Sequence, residues 1–135
     1  MVDGYWGRAA AGILFRHRGR YLLMLRSGNV LNPFTWGVPG GKVDGDESRW
    51  EAAVREVEEE TGYDASGARK KHDWTWQAPD AGFQYTTFVV DVDEPFEAVL
   101  NWESDDAAWF HPHELRDLDL HSGVVWLFQQ MGVRY

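Results

Sequence analysis

The chain has 135 residues, 44% of them hydrophobic and 15% aromatic, which is enough for one compact domain with a real core and too few for two. Its 22 acidic residues outnumber 13 basic ones for a net charge of −9, and this disfavours a general affinity for nucleic-acid backbones or anionic membranes, which rests on clustered lysine and arginine. Cysteine is absent, so disulfide scaffolds, thiolate nucleophiles and zinc–thiolate sites are excluded as well, leaving oxygen ligands and five histidines for any metal chemistry.

The start, MVDGYWGRAAAGILF, carries no basic segment ahead of its apolar stretch, and no apolar run approaches the roughly 18 to 20 residues that cross a bilayer. A cytoplasmic protein without a membrane partner is the expectation. AAAGILF (9–15) and YLLMLR (21–26) then read as a hairpin turning at Gly19. SGNVLNPFTWGVPGGK, broken by Gly28, Pro33, Gly37, Pro39, Gly40 and Gly41, reads as loop with at most a short strand at Trp36–Val38. From Ser48 to about Thr61 the pattern is helical: Trp50, Ala53, Val54, Val57 and Thr61 form one apolar stripe, Asp46, Glu47 and Ser48 supply the N-terminal cap, and Gly62 ends the helix. KKHDWTWQA and FQYTTFVVDV are two strands separated by PDAG. DEPFEAVLNWESDD is the best candidate for a surface loop, AAWFH is a short strand, PHEL opens a helix at Pro112, and SGVVWLFQQMG is a closing amphipathic helix. This order predicts an α/β fold with a mixed sheet covered by helices on both faces, a single domain over residues 1–135.

Glu56, Glu59 and Glu60 stand at i, i+3 and i+4, so their carboxylates share a helical face rotated away from the apolar stripe. A run of charge is usually a solvated face. Here, however, the run sits in a longer pattern: Gly41, five residues, Glu47, seven residues, Arg55, Glu56, Val57, one residue, Glu59, Glu60, one residue, Gly62. On ordinary amino-acid frequencies such a pattern arises by chance about once in a million chains or less.

The pattern resembles the signature of the Nudix hydrolase family, G-x5-E-x7-R-E-U-x-E-E-x-G-U with U a bulky aliphatic residue, and departs from it only where Tyr63 replaces the last aliphatic. TWGVPGGK before it and ESDDAAWFHPHEL after it also look like the flanks of MutT-type members. The resemblance implies an α/β/α sandwich and divalent-metal-dependent hydrolysis of a nucleoside diphosphate linked to another group, with Mg²⁺ as cofactor, Mn²⁺ able to substitute, and a small nucleotide as substrate. It implies Glu59, Glu60 and the Gly40 carbonyl as metal ligands, Glu56 as ligand or water-orienting base, and Arg55 as the residue that holds the glutamates through a salt bridge to Glu47. Gly41, Glu47 and Gly62 then support the site. The physics agrees: clustered carboxylates suit a hard cation, and a bound cation draws a pyrophosphate anion to an acidic protein. Glu51, at i−4 to Arg55, competes with Glu47 as its partner.

Outside the signature, Glu103 is the best candidate for a general base or further ligand, with Asp105 and Asp106 as rivals. Arg26, ending the second strand, is a candidate contact to substrate phosphates or else a solvated arginine. Trp74 and Trp76 point to one side of their strand, and with Phe83 or Tyr85 they wall a base pocket or fill the core. His111 and His113 flank Pro112 and lack a cysteine to complete a zinc site. Pro79 lies 16 positions after Tyr63, an offset associated with ADP-ribose pyrophosphatases, although a turn at APDAG explains it equally. Oxidised or ordinary nucleoside triphosphates, nucleoside diphosphate sugars and dinucleoside polyphosphates remain open as substrates. A non-hydrolysing nucleotide sensor on the same fold is the alternative to an enzyme, and an acidic interaction helix without a ligand is a third reading.

Overall fold

The computed structural model describes residues 8–79 and 82–135. The opening residues 1–7 and the centre of the PDAG turn lie outside the described residues. Among the described residues, seven strands form one mixed sheet: β1 (Arg8–His17), β2 (Arg20–Arg26), β3 (Trp36–Gly37), β4 (Gly40–Lys42), β5 (Lys70–Gln77), β6 (Phe83–Asp91) and β7 (Ser104–Phe110). Helix α1 (Arg49–Thr61) follows β4, a 3₁₀ helix spans Pro112–Asp117, and α2 (Ser122–Met131) closes the chain. Among the described residues no helix is long and apolar enough to cross a membrane.

The β1–β2 hairpin pairs only near its turn, at Arg16↔Tyr21 and His17↔Arg20, and then splays. The wedge it opens is filled by the next two strands. β4 pairs with the far end of β1 (Gly12↔Gly40) and β3 pairs with the far end of β2 (Met24↔Gly37). A segment whose glycines and prolines read as loop therefore carries two short strands, because the splayed edges supply partners for its backbone. On its other edge β1 runs parallel to β6 over nine register pairs, β5 lies antiparallel beyond β6, and β7 lines the outer edge of β2.

Alternation sends the two faces of the sheet into separate cores. Ala11, Ile13, Phe15, Phe88 and Val90 pack beneath Ala52, Ala53 and Val57 of α1. Leu14, Leu23 and Val89 pack against Leu115 and against Val124, Leu127 and Phe128 of α2. The result is an α/β/α sandwich with a mixed sheet. Tyr63 is stacked on Phe96 with ring centroids 4.0 Å apart and meets Phe15 edge-on, so the aromatic that replaces an aliphatic is a packing element.

Four expectations need correction. The buried face of α1 is Ala52, Ala53, Val57, Glu60 and Thr61, whereas Trp50 and Val54 are only partly buried; Glu60 thus lies at the edge of the core and not on a solvated face. β7 begins at Ser104, within the predicted surface loop, because β2 offers its outer edge as far as Arg26. Phe96 of the same loop packs against the α1-side core. The turn after Pro112 is 3₁₀.

Helix α1 is held at both ends. Ser48 accepts from the Glu51 amide at 3.0 Å while Glu51 accepts from the Ser48 amide at 2.8 Å, a reciprocal cap. Arg49 ties the first turn to Thr86 and Gln84 of β6. Gly62 closes the helix at φ 77°. Ser48→Ala and Gly62→Ala should each lower the free energy of unfolding by about 1 kcal/mol. Urea denaturation in the presence of a chelator measures both, and an unchanged midpoint would remove the caps as determinants of this helix.

Candidate active site

Helix α1 presents Glu56 and Glu60 one turn apart, and the loop before β7 brings Glu103 to the same place. Ligand-capable oxygens of the three carboxylates lie within 4.8 Å of one another. Glu60 is 5% exposed, its Oε1 accepts a long 3.4 Å contact from the Gly40 amide, and its Oε2 is buried with no hydrogen-bond partner. Burial, and after it the nearby Glu103, pushes the Glu60 carboxyl up to about 9. Burial also raises Glu56, against a lowering hydrogen bond from Arg55. A buried acceptor left unpaired among like charges is costly unless something positive joins it. An oxygen-preferring divalent cation fits this donor set.

Arg55 is the cationic hub beside the cluster. It grips Glu47 with two bonds, Nε–Oε2 at 2.7 Å and Nη2–Oε1 at 2.9 Å, and reaches Glu56 Oε2 at 2.9 Å and the Lys42 carbonyl at 2.9 Å. Asp44 stands 3.3 Å away and Glu59 3.5 Å away. Glu51 is no competitor, since its carboxylate serves the Ser48 cap. The bidentate contact lowers the Glu47 carboxyl to about 2, and the same partner raises Arg55. Arg55 thus ties the loop before the helix, the end of β4 and one carboxylate of the cluster into a single unit. Glu59 stands outside the trio, more exposed than Glu56, on the rim beside Arg55.

The two glycines of β4 partition the site. Successive strand residues face opposite sides. A Cβ on Gly41 would overlap the Glu56 carboxyl on the α1 side, and a Cβ on Gly40 would overlap the Tyr85 hydroxyl on the other. Absent side chains here make room for two functional groups rather than for a turn. A cavity of about 30 Å³, the space of a single water or ion, lies between Arg26, Gly37, Val38, Gly40, Glu60 and Glu103. A larger hollow between Phe96, Leu100 and Trp109 has none of the three carboxylates in its lining.

Arg26 ends β2 at this cavity and is steadied by its Nε bond to the Leu31 carbonyl at 2.8 Å. Its charge, after burial, lowers the pKa of His121, the N-cap of α2, whose Nδ1 accepts from the Gly123 amide at 2.9 Å. Trp74 and Trp76 lie on the α2-facing side of β5, opposite Thr87 and Tyr85. Trp74 packs against the α2 core, and Trp76 leans on Phe83 with centroids 6.5 Å apart. They are not brought to the carboxylates. Asp105 and Asp106 are exposed on β7, and Asp106 accepts from the Ala107 amide. His111 and His113 stack on each other at 5.4 Å.

One residue escaped the sequence reading and another was given a different place. Asn101 accepts from the Glu103 amide at 2.9 Å and donates to Glu103 Oε1 at 3.2 Å and to the Glu59 carbonyl at 3.1 Å, so it pins the Glu103 loop to the last turn of α1. An asparagine two positions before a candidate carboxylate is a turn signal that points to such a clamp. Tyr85 was legible only as a wall of a base pocket, although its hydroxyl lies against the Gly40 backbone.

Comparison with known proteins gives the family. The family model of the NUDIX domain matches residues 6–127. A Mycobacterium tuberculosis (strain H37Rv) protein named "Putative 8-oxo-dGTP diphosphatase 3" is 34% identical over 94% of this chain, which spans 63% of the length of that relative. A Nudix hydrolase structure from M. smegmatis superposes with TM-score 0.77 at 27% identity, covering 96% of this chain and 85% of that one. The MutT protein of Methanosarcina mazei Go1 gives 0.70 at 26% identity, covering 90% of each chain. A C. elegans Ap4A hydrolase, 21% identical, shares the fold with TM-score 0.74 over 91% of this chain and 95% of its own. With the signature residues gathered around one cluster of carboxylates and a family model that spans nearly the whole sequence, the chain belongs to the Nudix family.

Proposed function

We propose that the chain, as a single domain, is a Mg²⁺-dependent pyrophosphohydrolase that cleaves a phosphoanhydride bond in a nucleoside diphosphate linked to another moiety, a nucleoside triphosphate before the others. The observation that carries this reading is the buried, unpartnered Glu60 oxygen inside the Glu56–Glu60–Glu103 cluster. The name of the mycobacterial relative supports an oxidised purine triphosphate as the first substrate to test.

The divalent cation, when bound, polarises phosphoryl oxygens, acidifies a bound water and neutralises the leaving phosphate. Glu56 and Glu60 would hold it, with Glu59 and the Gly40 carbonyl as further ligands. Glu103, clamped by Asn101, is placed to take the proton of the attacking water or to serve as another ligand. Arg55 keeps Glu56 in register with β4, and Arg26 faces the incoming phosphates. Trp74 and Trp76, on the far side of Tyr85, are left for the base or for the core. Water is consumed, the phosphoanhydride breaks, and a nucleoside monophosphate with pyrophosphate is released from a triphosphate.

Incubation with dGTP, 8-oxo-dGTP, ADP-ribose and diadenosine tetraphosphate, each with Mg²⁺ or Mn²⁺ and with products identified, tests the reading. Binding without turnover of any of them would make the protein a sensor. Glu60→Gln and Glu56→Gln should each lower kcat at least about 100-fold, as expected when a charge that stabilises the transition state is lost. Glu103→Gln should lower kcat with little change in KM and flatten the acid limb of the pH–rate profile, whereas Asp105→Asn and Asp106→Asn should leave both in place. Full activity of Glu60→Gln at saturating Mg²⁺ would reject the assignment.

Stability gives a readout independent of turnover. In the metal-free folded protein Glu60 holds its proton up to about 9, whereas the unfolded chain releases it near 4.5. The folded state therefore binds more protons between those values, and metal-free stability should fall as pH rises through that window. Glu47, depressed to about 2, contributes stability that is lost only as pH falls below its ordinary range, so it does not oppose this slope. Glu60→Gln should remove most of the decline. Millimolar Mg²⁺ should raise the melting temperature of the wild type at pH 8 and have less effect on the variant. A wild-type melting temperature that is flat from pH 5 to pH 9 without metal would contradict the burial of an ionisable Glu60.

A further inference from the structure

Tyr85 sits near the start of β6, between β1 and β5, with its side chain on the face opposite α1. Its hydroxyl occupies the space that two glycines leave empty, since a Cβ on Gly12 would come within 2.6 Å of it and a Cβ on Gly40 closer still. The ring is partly buried, and Trp76 stands opposite it on the neighbouring strand. Packing explains the ring but not the hydroxyl, which a phenylalanine would omit.

No described residue hydrogen-bonds to that hydroxyl, which lies beside the Gly40 peptide at the end of a side chain that is only partly buried. Its charged surroundings are Glu60, Arg26 and Glu56. Once a cation neutralises the carboxylates, the guanidinium of Arg26, whose charge reaches the phenol, and the phenolic O–H are the donors left around Gly40. Two such donors suit an anionic oxygen.

We propose that the Tyr85 hydroxyl binds substrate directly, donating a hydrogen bond to a phosphate oxygen of the nucleotide on the side of β4 opposite Glu56. This rests on the reading of the chain as a nucleotide pyrophosphohydrolase. The glycine pair of β4 then separates metal-facing carboxylates from a phosphate-facing phenol, with the Gly40 peptide between them. Tyr85 acts by touching the substrate and takes no part in metal binding.

Tyr85→Phe keeps the ring and removes one oxygen, so its fold is checked by an unchanged melting temperature. Two measurements go with it: kcat/KM for dGTP and 8-oxo-dGTP, and calorimetric titration of wild type and variant with Mn²⁺ alone and with inorganic pyrophosphate in the presence of Mn²⁺. The expected result is a loss of about tenfold or more in kcat/KM for both nucleotides, a comparable loss in pyrophosphate affinity and unchanged Mn²⁺ affinity. Unchanged kinetics and affinities would overturn the proposal and leave the tyrosine as a spacer. A change confined to the ratio of the two nucleotides would overturn it in favour of contact with the base. A wild type that binds Mn²⁺ but no pyrophosphate would also overturn it. If the wild type binds metal and pyrophosphate but hydrolyses neither nucleotide, the hydrolase reading fails while the titrations still decide the role of Tyr85.

Discussion

Three carboxyl groups held in one place, one of them buried and kept protonated by that burial until a cation joins it, are the constraint around which this structure is built. Glu56, Glu60 and Glu103 do not come together because they attract; scaffolding imposes the arrangement from three directions. The apolar residues of α1 commit the helix to the sheet and carry Glu60 with them. Asn101 commits the Glu103 loop to the end of the same helix. Arg55 compensates Glu56, and among the described residues none forms an ion pair with Glu60, the deepest of the three. A site of that kind is destabilised until a cation arrives, which couples occupancy to rigidity of the whole helix–loop unit.

The glycines of β4 link this electrostatic arrangement to the backbone. A strand between two functional surfaces must be thin, and successive glycines are the thinnest strand available. Glu56 approaches from one side and Tyr85 from the other. The motif glycine at 41 and its neighbour at 40 therefore answer to different residues, one on a helix fifteen positions later and one on a strand forty-five positions later.

Much of this was legible in the residue pattern. The strands of the hairpin, α1 with its Ser48 cap and Gly62 terminator, the pair β5–β6 and the closing helix all follow from local periodicity and turn chemistry. The spacing of Gly41, Glu47, Arg55, Glu56 and Glu60 was visible because a helix converts sequence intervals into shared faces. What was not legible depends on neighbours distant in sequence. β3 and β4 exist because β1 and β2 diverge. Glu60 is buried because the helix is rolled toward the sheet by Ala52, a residue too small to weigh in a reading of apolar stripes. The clamp by Asn101 and the contact of Tyr85 with Gly40 involve separations of tens of residues, which no periodicity reports.

The parallel pairing of β1 with β6 bears on how the molecule is made. Its nine register pairs each join residues 75 apart in the chain, from Arg8↔Phe83 to Arg16↔Asp91. Closing such a loop costs chain entropy before any contact along it returns free energy, which places the sheet among slow, non-local topologies. During synthesis the hairpin and α1 emerge well before β6. Until β6 docks, the apolar faces of Ile13 and Phe15 lack the neighbours that bury them, and the newborn chain is at its most aggregation-prone. Tyr85 enters with the same strand, so the phenol reaches the glycines of β4 only when the centre of the sheet closes.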